Sequence, residues 1–239
     1  MKKLALFLVL VMLLSLLGCD LAAPTLCIPT SYQTLDADGQ VQAAIDFIFE
    51  EGWQDKDTFT ITYSDPRQGT VTVSDKCMIH QVDGGPTTEL YFDDQGRVIR
   101  EVSIYPYDDT KDLVTLYTYD QHGRLLTETQ DDLVITYTYT DTETGSQGIY
   151  QLDGTRYELH YDSRYRLTTQ IEHFVDMEGL DVPNLRIETV YHEDGSISQL
   201  CYIAGRLTTE RRVFYTQQKV SAETVARLPW FQQPLIAIH

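Results

Sequence analysis

The chain has 239 residues, which is enough for one domain with its own hydrophobic core or for one elongated array of repeats. Asp and Glu outnumber Lys and Arg by 36 to 18, so the formal net charge is −18 at pH 7. This acidity argues against nucleic acid and anionic lipid headgroups as partners, because both are recognised by basic patches.

The N-terminal stretch "MKKLALFLVLVMLLSLLGC" combines two lysines, an apolar run and a small residue before Cys19. This order is typical of a secretory signal peptide. The ending "LLGC" resembles the signal of bacterial lipoproteins, in which the cysteine is acylated and becomes the first residue of the mature chain. The resemblance implies a signal peptide over residues 1–18, export, and a membrane anchor at Cys19 on the extracytoplasmic side of a bacterial envelope. An ordinary cleaved signal peptide is the alternative.

Residues 19–34 contain two prolines and no hydrophobic period, which predicts a lipidated tether before a single β-rich domain over residues 35–239. The domain is expected to begin with an amphipathic helix over residues 38–51. Five apolar residues fall on one stripe of that helix, namely Val41, Ala44, Ile45, Ile48 and Phe49.

From Trp53 onward the hydrophobic period changes from 3.6 to 2, as in "DTFTITYSD" and "LVTLYTYD". Apolar and tyrosine residues occupy one parity, and Thr, Gln, Glu or Arg the other, which is typical of antiparallel sheets with one solvated face. "VSAETVARL" predicts a short C-terminal helix from about residue 220. The predicted fold is therefore mainly all-β: an open, twisted antiparallel sheet of hairpins, with one helix at each end of the domain.

One motif recurs at the hairpin tips: an aromatic residue, an Asp, a Gly, an Arg and an apolar residue. Asp is expected to cap the turn, Gly to supply a positive φ, and Arg to pair with Asp across the hairpin. The tip residues of four gapless copies are Asp93, Gly96, Arg97, Asp120, Gly123, Arg124, Asp162, Arg166 and Gly195, and a shorter fifth copy contains Gly205. The four copies are irregularly spaced, by 27, 42 and 30 residues (96 to 123, 123 to 165, 165 to 195).

The best copy, "YTYDQHGRL", resembles the YD repeat of RHS and teneurin-like proteins, whose hairpins stack into a long, spiralling sheet. The resemblance covers residues 85–215 and is loose outside the tips. It implies a strip of antiparallel sheet. The encapsulating shell of the large family members is not expected, because this chain has few copies and lacks the signature of the self-cleaving core.

Motifs that would indicate catalysis or metal binding are missing from the sequence. It contains no H-E-x-x-H, G-x-S-x-G, P-loop or C-x-x-C. We therefore expect no enzyme, no cofactor and no metal site. Calcium binding by the abundant acids is a weaker hypothesis. With Cys19 acylated, Cys27, Cys77 and Cys201 remain, and whether two of them form a disulfide is left open.

The favoured hypothesis is a lipid-anchored, non-catalytic binding or scaffolding module with a protein or glycan partner. A homodimer through unpaired sheet edges is an additional hypothesis. The alternative function is an envelope carrier of a lipid or lipidated protein, with a curved sheet closed by the 38–51 helix. A third hypothesis, an inhibitor or immunity-type partner of a basic secreted enzyme, rests on acidity alone.

The lipoprotein signal yields a direct test at Cys19. We expect metabolic labelling with radioactive palmitate to mark the wild-type protein, and the protein to partition into detergent. Cys19→Ser removes the thiol that is acylated and should abolish both. Cys27→Ser is the matched control and should change neither. Equal labelling of all three proteins would rule out an anchor at Cys19.

Overall fold

The computed structural model describes residues 25–74, 76–106, 112–175 and 181–228. Cys19 and the signal peptide lie outside the described residues. Within them, seventeen strands form a single sheet, accompanied by one short α-helix and two single-turn 3₁₀ helices.

The first nine strands are β1 (Thr25–Asp36), β2 (Val41–Phe49), β3 (Phe59–Tyr63), β4 (Thr70–Ser74), β5 (Cys77–Gln81), β6 (Thr87–Phe92), β7 (Val98–Ile104), β8 (Leu113–Tyr119) and β9 (Leu125–Gln130). The other eight are β10 (Leu133–Thr136), β11 (Thr138–Thr142), β12 (Gly145–Leu152), β13 (Thr155–Asp162), β14 (Leu167–Val175), β15 (Asp181–Tyr191), β16 (Ile197–Ile203) and β17 (Arg206–Lys219). The 3₁₀ helices are Trp53–Asp55 and Pro66–Gln68, and α1 is Ala222–Arg227.

Each strand pairs antiparallel with its neighbours in the chain, except at the break between β10 and β11. β1 pairs with β2 on one side and with β17 on the other, so the first and last strands join. Around the break at Tyr137, β10 pairs with β9 and β11 with β12. The prediction of a mainly antiparallel β fold is confirmed. The expected open sheet is wrong, because the β1–β17 pairing makes it nearly closed and barrel-like.

The predicted helix over residues 38–51 is also wrong, because this segment forms β2. Its apolar residues fit both periods, and the β alternation places Phe47 opposite Tyr63 and Phe49 opposite Ile61. Both phenylalanines pack against the main core. Pairing with β1 and β3 satisfies the backbone of β2 on both sides, and this tertiary gain outweighs the helix propensity of "QVQAAI".

The expected tether does not extend to residue 34, since β1 already begins at Thr25. The proline that suggested a linker, Pro29, lies where the β1–β17 register shifts by one residue. A bulge tolerates proline because the regular ladder of hydrogen bonds is interrupted there.

Two clusters of buried side chains lie against the sheet. The larger contains Leu26, Ile28, Trp53, Phe59, Ile61, Val71, Val73, Phe92 and Leu228. The smaller contains Ile135, Tyr137 and Leu159. The predicted C-terminal helix is confirmed as α1. The Arg227 guanidinium donates to the Gln54 carbonyl at 2.8 Å, and Thr224 Oγ1 donates to the same oxygen at 3.2 Å. These bonds, with Leu228 in the core, place α1 over the Trp53 end of the larger cluster.

Because consecutive strands alternate in direction, their turns fall at two ends of the barrel. The start of β1 at Thr25, the Trp53 turn and α1 share one end. The four aligned hairpin tips, which follow β6, β8, β13 and β15, lie at this end too. The turns that follow β1, β3, β5, β9, β12 and β16 lie at the opposite end, which we call the distal rim, and β7 and β14 end there as well.

Gly145 provides a test of the packing between β12 and β13. A Cβ at this residue would overlap the carbonyl oxygen of Tyr161, a backbone atom that no rotamer change can move. We expect Gly145→Ala to cost about 1–3 kcal/mol more than Gly154→Ala. Gly154 has a φ of 81°, and no atom lies within 4 Å of the position that a Cβ would take there, so its substitution costs about 1 kcal/mol through φ alone. Urea unfolding measures both, and equal costs would contradict the packing.

Candidate functional site

The hairpin tips share one hydrogen-bonded design, best seen at Asp120. Its Oδ1 accepts the backbone N–H groups of His122 at 2.8 Å and Arg124 at 2.9 Å, and its Oδ2 accepts Arg124 Nε at 2.6 Å. The tips at Asp93 and Asp162 have the same arrangement, with Arg97 and Arg166 as the paired arginines. The carboxylate therefore closes the turn and orients the guanidinium at once.

Each of these arginines in turn lies over a tyrosine of a later strand. The Arg97 Cζ is 4.8 Å from the centroid of the Tyr119 ring, and the Tyr119 hydroxyl donates to the Val98 carbonyl at 2.5 Å. The same pair of contacts recurs for Arg124, Tyr139 and Leu125, and for Arg166, Tyr191 and Leu167. We call this unit the Asp–Arg–Tyr staple. It links one hairpin to the next through an ion pair, a cation–π contact and a hydrogen bond.

The staples explain the irregular spacing of the repeat. Tyr119 is the aromatic residue of the second copy, which follows the first copy by 27 residues. Tyr191 is the aromatic residue of the fourth copy, which follows the third copy by 30 residues. Between the second and third copies the step is 42 residues, because the hairpin of β11 and β12 is inserted there. Arg124 then lies over the ring of Tyr139 on β11, and Asp141 forms a second ion pair with the same arginine. The sequence "YTYTDTETG" is thus a degenerate copy that gapless alignment misses.

Arg124 is the most enclosed of the three stapling arginines, with a side chain only 7% exposed. Burial by itself raises the pKa of Asp120, but the hydrogen bonds from Arg124 and His122 outweigh it and lower the pKa below its ordinary value. The pKa values of Asp93 and Asp162 are lowered by the same balance. All three staples therefore favour the ionised carboxylate.

The third tip has Tyr165 where the first, second and fourth have glycine. Tyr165 adopts a φ of 58°, in the left-handed region that costs a bulky side chain about 1–3 kcal/mol. Its ring stacks on His122 of the second tip, with centroids 4.2 Å apart, and also lies under Arg124. This contact between neighbouring tips compensates for the strain.

The fourth tip replaces the Asp–Arg pair by a network around Ser198. Ser198 Oγ donates to Glu210 Oε1 at 2.7 Å and accepts from Arg212 Nε at 3.0 Å. His192 Nε2 lies 2.8 Å away, and since the serine has one proton, this nitrogen is the donor. Ser198 is only 1% exposed. The acid of this network, Glu210, contacts Ser198 instead of His192. The arrangement therefore differs from a Ser-His-acid catalytic triad, in which the acid orients the histidine.

The fifth predicted tip differs from the other four in place and shape. Ala204 and Gly205 have φ values of 47° and 77° and form a two-residue turn at the distal rim. Gly205 therefore lies at a hairpin tip, as predicted, but outside the stapled series.

A row of tyrosines and carboxylates crosses the face of the sheet that carries the two clusters. The Tyr117 hydroxyl donates to Glu101 at 2.9 Å, and the Tyr137 hydroxyl to Glu128 at 3.2 Å. Farther along, the rings of Tyr150 and Tyr157 stack at 4.5 Å with an angle of 4°. Burial raises the pKa of Tyr119 and of Tyr191 to about 12, so both phenols are neutral donors at physiological pH. The glutamate partners of these tyrosines are not apparent from the sequence.

The three cysteines that the structure describes are free thiols: Cys27 on β1, Cys77 on β5 and Cys201 on β16. Burial raises the pKa of Cys27 and Cys77, and for Cys77 the charge of Glu89 adds to the effect. In the part of the chain that the structure describes, no group of three or more His, Cys, Asp and Glu side chains is placed to hold a metal ion. No described helix is both long and apolar enough to span a membrane.

Neither a protein-family model nor a curated protein matches this chain. Among solved structures, it is similar to a porin-like protein from Bacteroides uniformis ATCC 8492. The identity is 13%, the TM-score is 0.44, and the match covers 82% of this chain and 97% of the other. It is also similar to a protein of unknown function from the DUF3598 family of Nostoc punctiforme PCC 73102, with 12% identity, a TM-score of 0.15 and coverages of 82% and 96%. Both TM-scores are below 0.5, and neither similarity carries an inference about this chain.

The lowered carboxylate pKa values predict a loss of stability in acid. A group whose pKa is lower in the folded protein contributes fully above its unfolded value of about 3.9 and loses its contribution as the pH falls through the folded value. Asp120→Asn keeps the turn cap but removes the charge that faces Arg124. We expect it to cost about 1–3 kcal/mol at pH 7 and less at pH 2, because the wild-type carboxylate loses its charge as the pH falls through its lowered pKa.

Urea unfolding at the two pH values measures this difference. The control is Asp94→Asn, because Asp94 lies at a tip but is largely exposed and pairs only with Lys76 among the described residues. Its substitution should cost less than about 1 kcal/mol at either pH. A cost for Asp120→Asn that is independent of pH would contradict the ionic staple.

Proposed function

We propose that this protein is a non-catalytic binding or scaffolding module, anchored through an acylated Cys19 to the extracytoplasmic side of a bacterial envelope membrane. The YD-like tips are the repeated unit of its scaffold. The proposal joins the lipoprotein signal to a barrel whose two ends are chemically different.

The observation that carries the proposal is this difference between the ends. The stapled tips and the start of β1 share one end, and Thr25 is only six residues after Cys19. Six residues span at most about 20 Å, so an anchored barrel keeps its stapled end close to the membrane. The distal rim then points away from the membrane, where a partner can reach it.

The distal rim has the composition of a contact surface. Exposed large apolar side chains are distributed around it: Val41, Tyr105, Leu133, Phe174, Val175 and Ile203. Exposed acids lie between them, namely Asp38, Asp83, Asp131, Asp132 and Asp153. Apolar side chains that stay in water mark a site of interaction when they recur on one surface.

The carrier alternative is favoured by one observation, the near closure of the sheet. A closed sheet encloses one of its faces, as a container for a hydrophobic molecule requires. The enclosed face, however, carries Glu101 and Glu128, each bonded to a tyrosine. Carboxyl groups along this wall make it unfavourable for acyl chains, because burying polar groups against hydrocarbon costs free energy. A binding module therefore fits the chemistry of this face better.

Site-specific photo-cross-linking in intact cells tests the proposal. A photoreactive amino acid at Val175 or Ile203 should form an adduct with a defined envelope component. The same group at Ile99, which is exposed at the stapled end, is the matched control and should not form it. Equal adducts at all three positions, or none at any, would contradict a contact surface at the rim. A non-covalent mass of lipid size, lost on activation and additional to the acyl chains on Cys19, would support the carrier instead when found by native mass spectrometry of the wild type.

A further inference from the structure

Strand β10 pairs with β9 along one edge, from Leu133 to Thr136, and its other edge pairs with no strand in the described part of the chain. β12 is the strand expected on that other side, because it pairs with β11, the continuation of β10, as far as Thr138 opposite Ile149. Beyond this pair the two strands separate, and β12 continues to Leu152 against β13 alone. A gap therefore lies between β10 and the last residues of β12, at the distal rim.

The free edge of β10 presents backbone hydrogen-bonding groups to this gap. Along a strand the N–H and C=O groups of successive residues point alternately to its two sides. The Tyr137 N–H donates to the Leu126 carbonyl at 3.0 Å, which is on the β9 side. Val134 and Thr136 have the opposite parity, so their N–H and C=O groups point into the gap.

β12 contributes a second free backbone segment from the other side of the gap. Leu152 pairs with Thr155 of β13 across a two-residue turn, so the preceding residue, Gln151, directs its N–H and C=O groups away from β13. Val134, Thr136 and Gln151 are all exposed. Water therefore reaches both sides of the gap.

The corresponding separation of strands at the stapled end is bridged by side chains. There β9 and β11 part, but the Tyr139 hydroxyl donates to the Leu125 carbonyl at 2.7 Å, and Asp141 forms an ion pair with Arg124. Among the described residues, no side-chain hydrogen bond joins β10 to β12. The gap at the distal rim is thus the unbridged side of this change of partners.

The inner side of the gap is apolar. Ile135 is buried in the smaller cluster, and Tyr150 and Leu152 of β12 pack against that cluster. Leu133 and Val134 are exposed at the rim, with 45% and 57% of their surface in water. A strand that pairs with β10 places every second side chain on the inner side and the others outward beside Val134. Apolar residues at alternate positions therefore suit the inner side.

The charges beside the gap indicate what kind of segment fits. Asp131 and Asp132 precede β10, Asp153 follows β12, and all three are exposed. The cation nearby on β13, Arg156, is already paired with Glu158. A second copy of the chain would bring its own acids to the same edge, and like charges across a strand pair are destabilising. Basic side chains are attracted instead.

We propose that the free edge of β10 binds an extended segment of a partner protein, in which apolar residues alternate with Lys or Arg. The segment adds to the sheet as one more strand, held by backbone hydrogen bonds to Val134 and Thr136. The acids of the two neighbouring turns select its basic side chains. The proposal deepens the proposed function and rests on it, because it names the class of partner and its place at the distal rim.

Fluorescence anisotropy on the full mature chain in non-ionic detergent micelles tests this edge with labelled peptides. The probe is a short synthetic peptide of alternating valine and lysine, which we expect to bind the wild type. The same peptide, methylated at two adjacent central backbone nitrogens, has the same charge but lacks an N–H group on each of its edges. It should bind about tenfold more weakly. A peptide of alternating valine and glutamate should not bind.

Two variants of Val134 test the same contact from the side of the protein. Val134→Pro removes the N–H that points into the gap and leaves the N–H groups that pair with β9, so it should weaken binding about tenfold. Val134→Thr is the matched control, because it keeps the backbone N–H and the β-branched shape. It should change the affinity less than about threefold. Thermal unfolding checks that both variants are folded, and the methylated peptide tests the bond with the protein unaltered.

Three results would overturn the proposal. The first is no binding of the valine–lysine peptide to the wild type. The second is full affinity for the methylated peptide or in Val134→Pro, because charge alone would then hold the peptide. The third is a dimer in native mass spectrometry that Val134→Pro abolishes, since a second copy would then occupy this edge.

The outcome for the edge is separable from the outcome for the module. Adducts at Val175 and Ile203 without peptide binding would overturn the strand edge and leave the binding module standing. Peptide binding that requires the Val134 N–H, without adducts at Val175 and Ile203, would support the edge and overturn the wider rim as a contact surface.

Discussion

The Asp–Arg–Tyr staple is the interaction on which the rest of this architecture depends. Antiparallel hairpins supply backbone hydrogen bonds within the sheet, but these bonds do not set the curvature of one hairpin against the next. The staple fixes the position of one hairpin relative to the next, because each arginine is held by its own turn and covers a tyrosine of a later strand. Since Arg124 is almost completely enclosed, the ion pair is screened little by solvent, and its geometry is well determined.

The staple also accounts for the polarity of the molecule. Three staples and the related Ser198 network lie at the end where β1 starts, and they hold that rim together with charged and aromatic groups. The distal rim has two-residue turns and longer loops instead, with apolar and acidic side chains in water. The two ends therefore differ in chemistry: ion pairs and aromatic contacts close the stapled end, whereas exposed apolar and acidic side chains surround the distal rim.

Sequence reasoning reached the local features and missed those that depend on distant partners. The alternation of apolar and polar residues predicted the strands, and the Asp, Gly and Arg of the tips predicted the turn geometry. The segment over residues 38–51 was misassigned because its apolar positions fit a helix and a strand alike, and only β1 and β3 decide between them. Gly205 was grouped with the tips by its Gly-Arg pair, although chain direction places it at the opposite end.

The sequence by itself determined the β class, the hairpin turns and the pairing of Asp with Arg, because each follows from residues within a few positions of one another. Tertiary structure decided the closure of the sheet, since β1 and β17 are separated by almost the whole domain and no local pattern marks them as partners. It also decided which tyrosine ring each arginine covers. The stacking of Tyr165 on His122, which allows Tyr165 a positive φ, is likewise a tertiary contact.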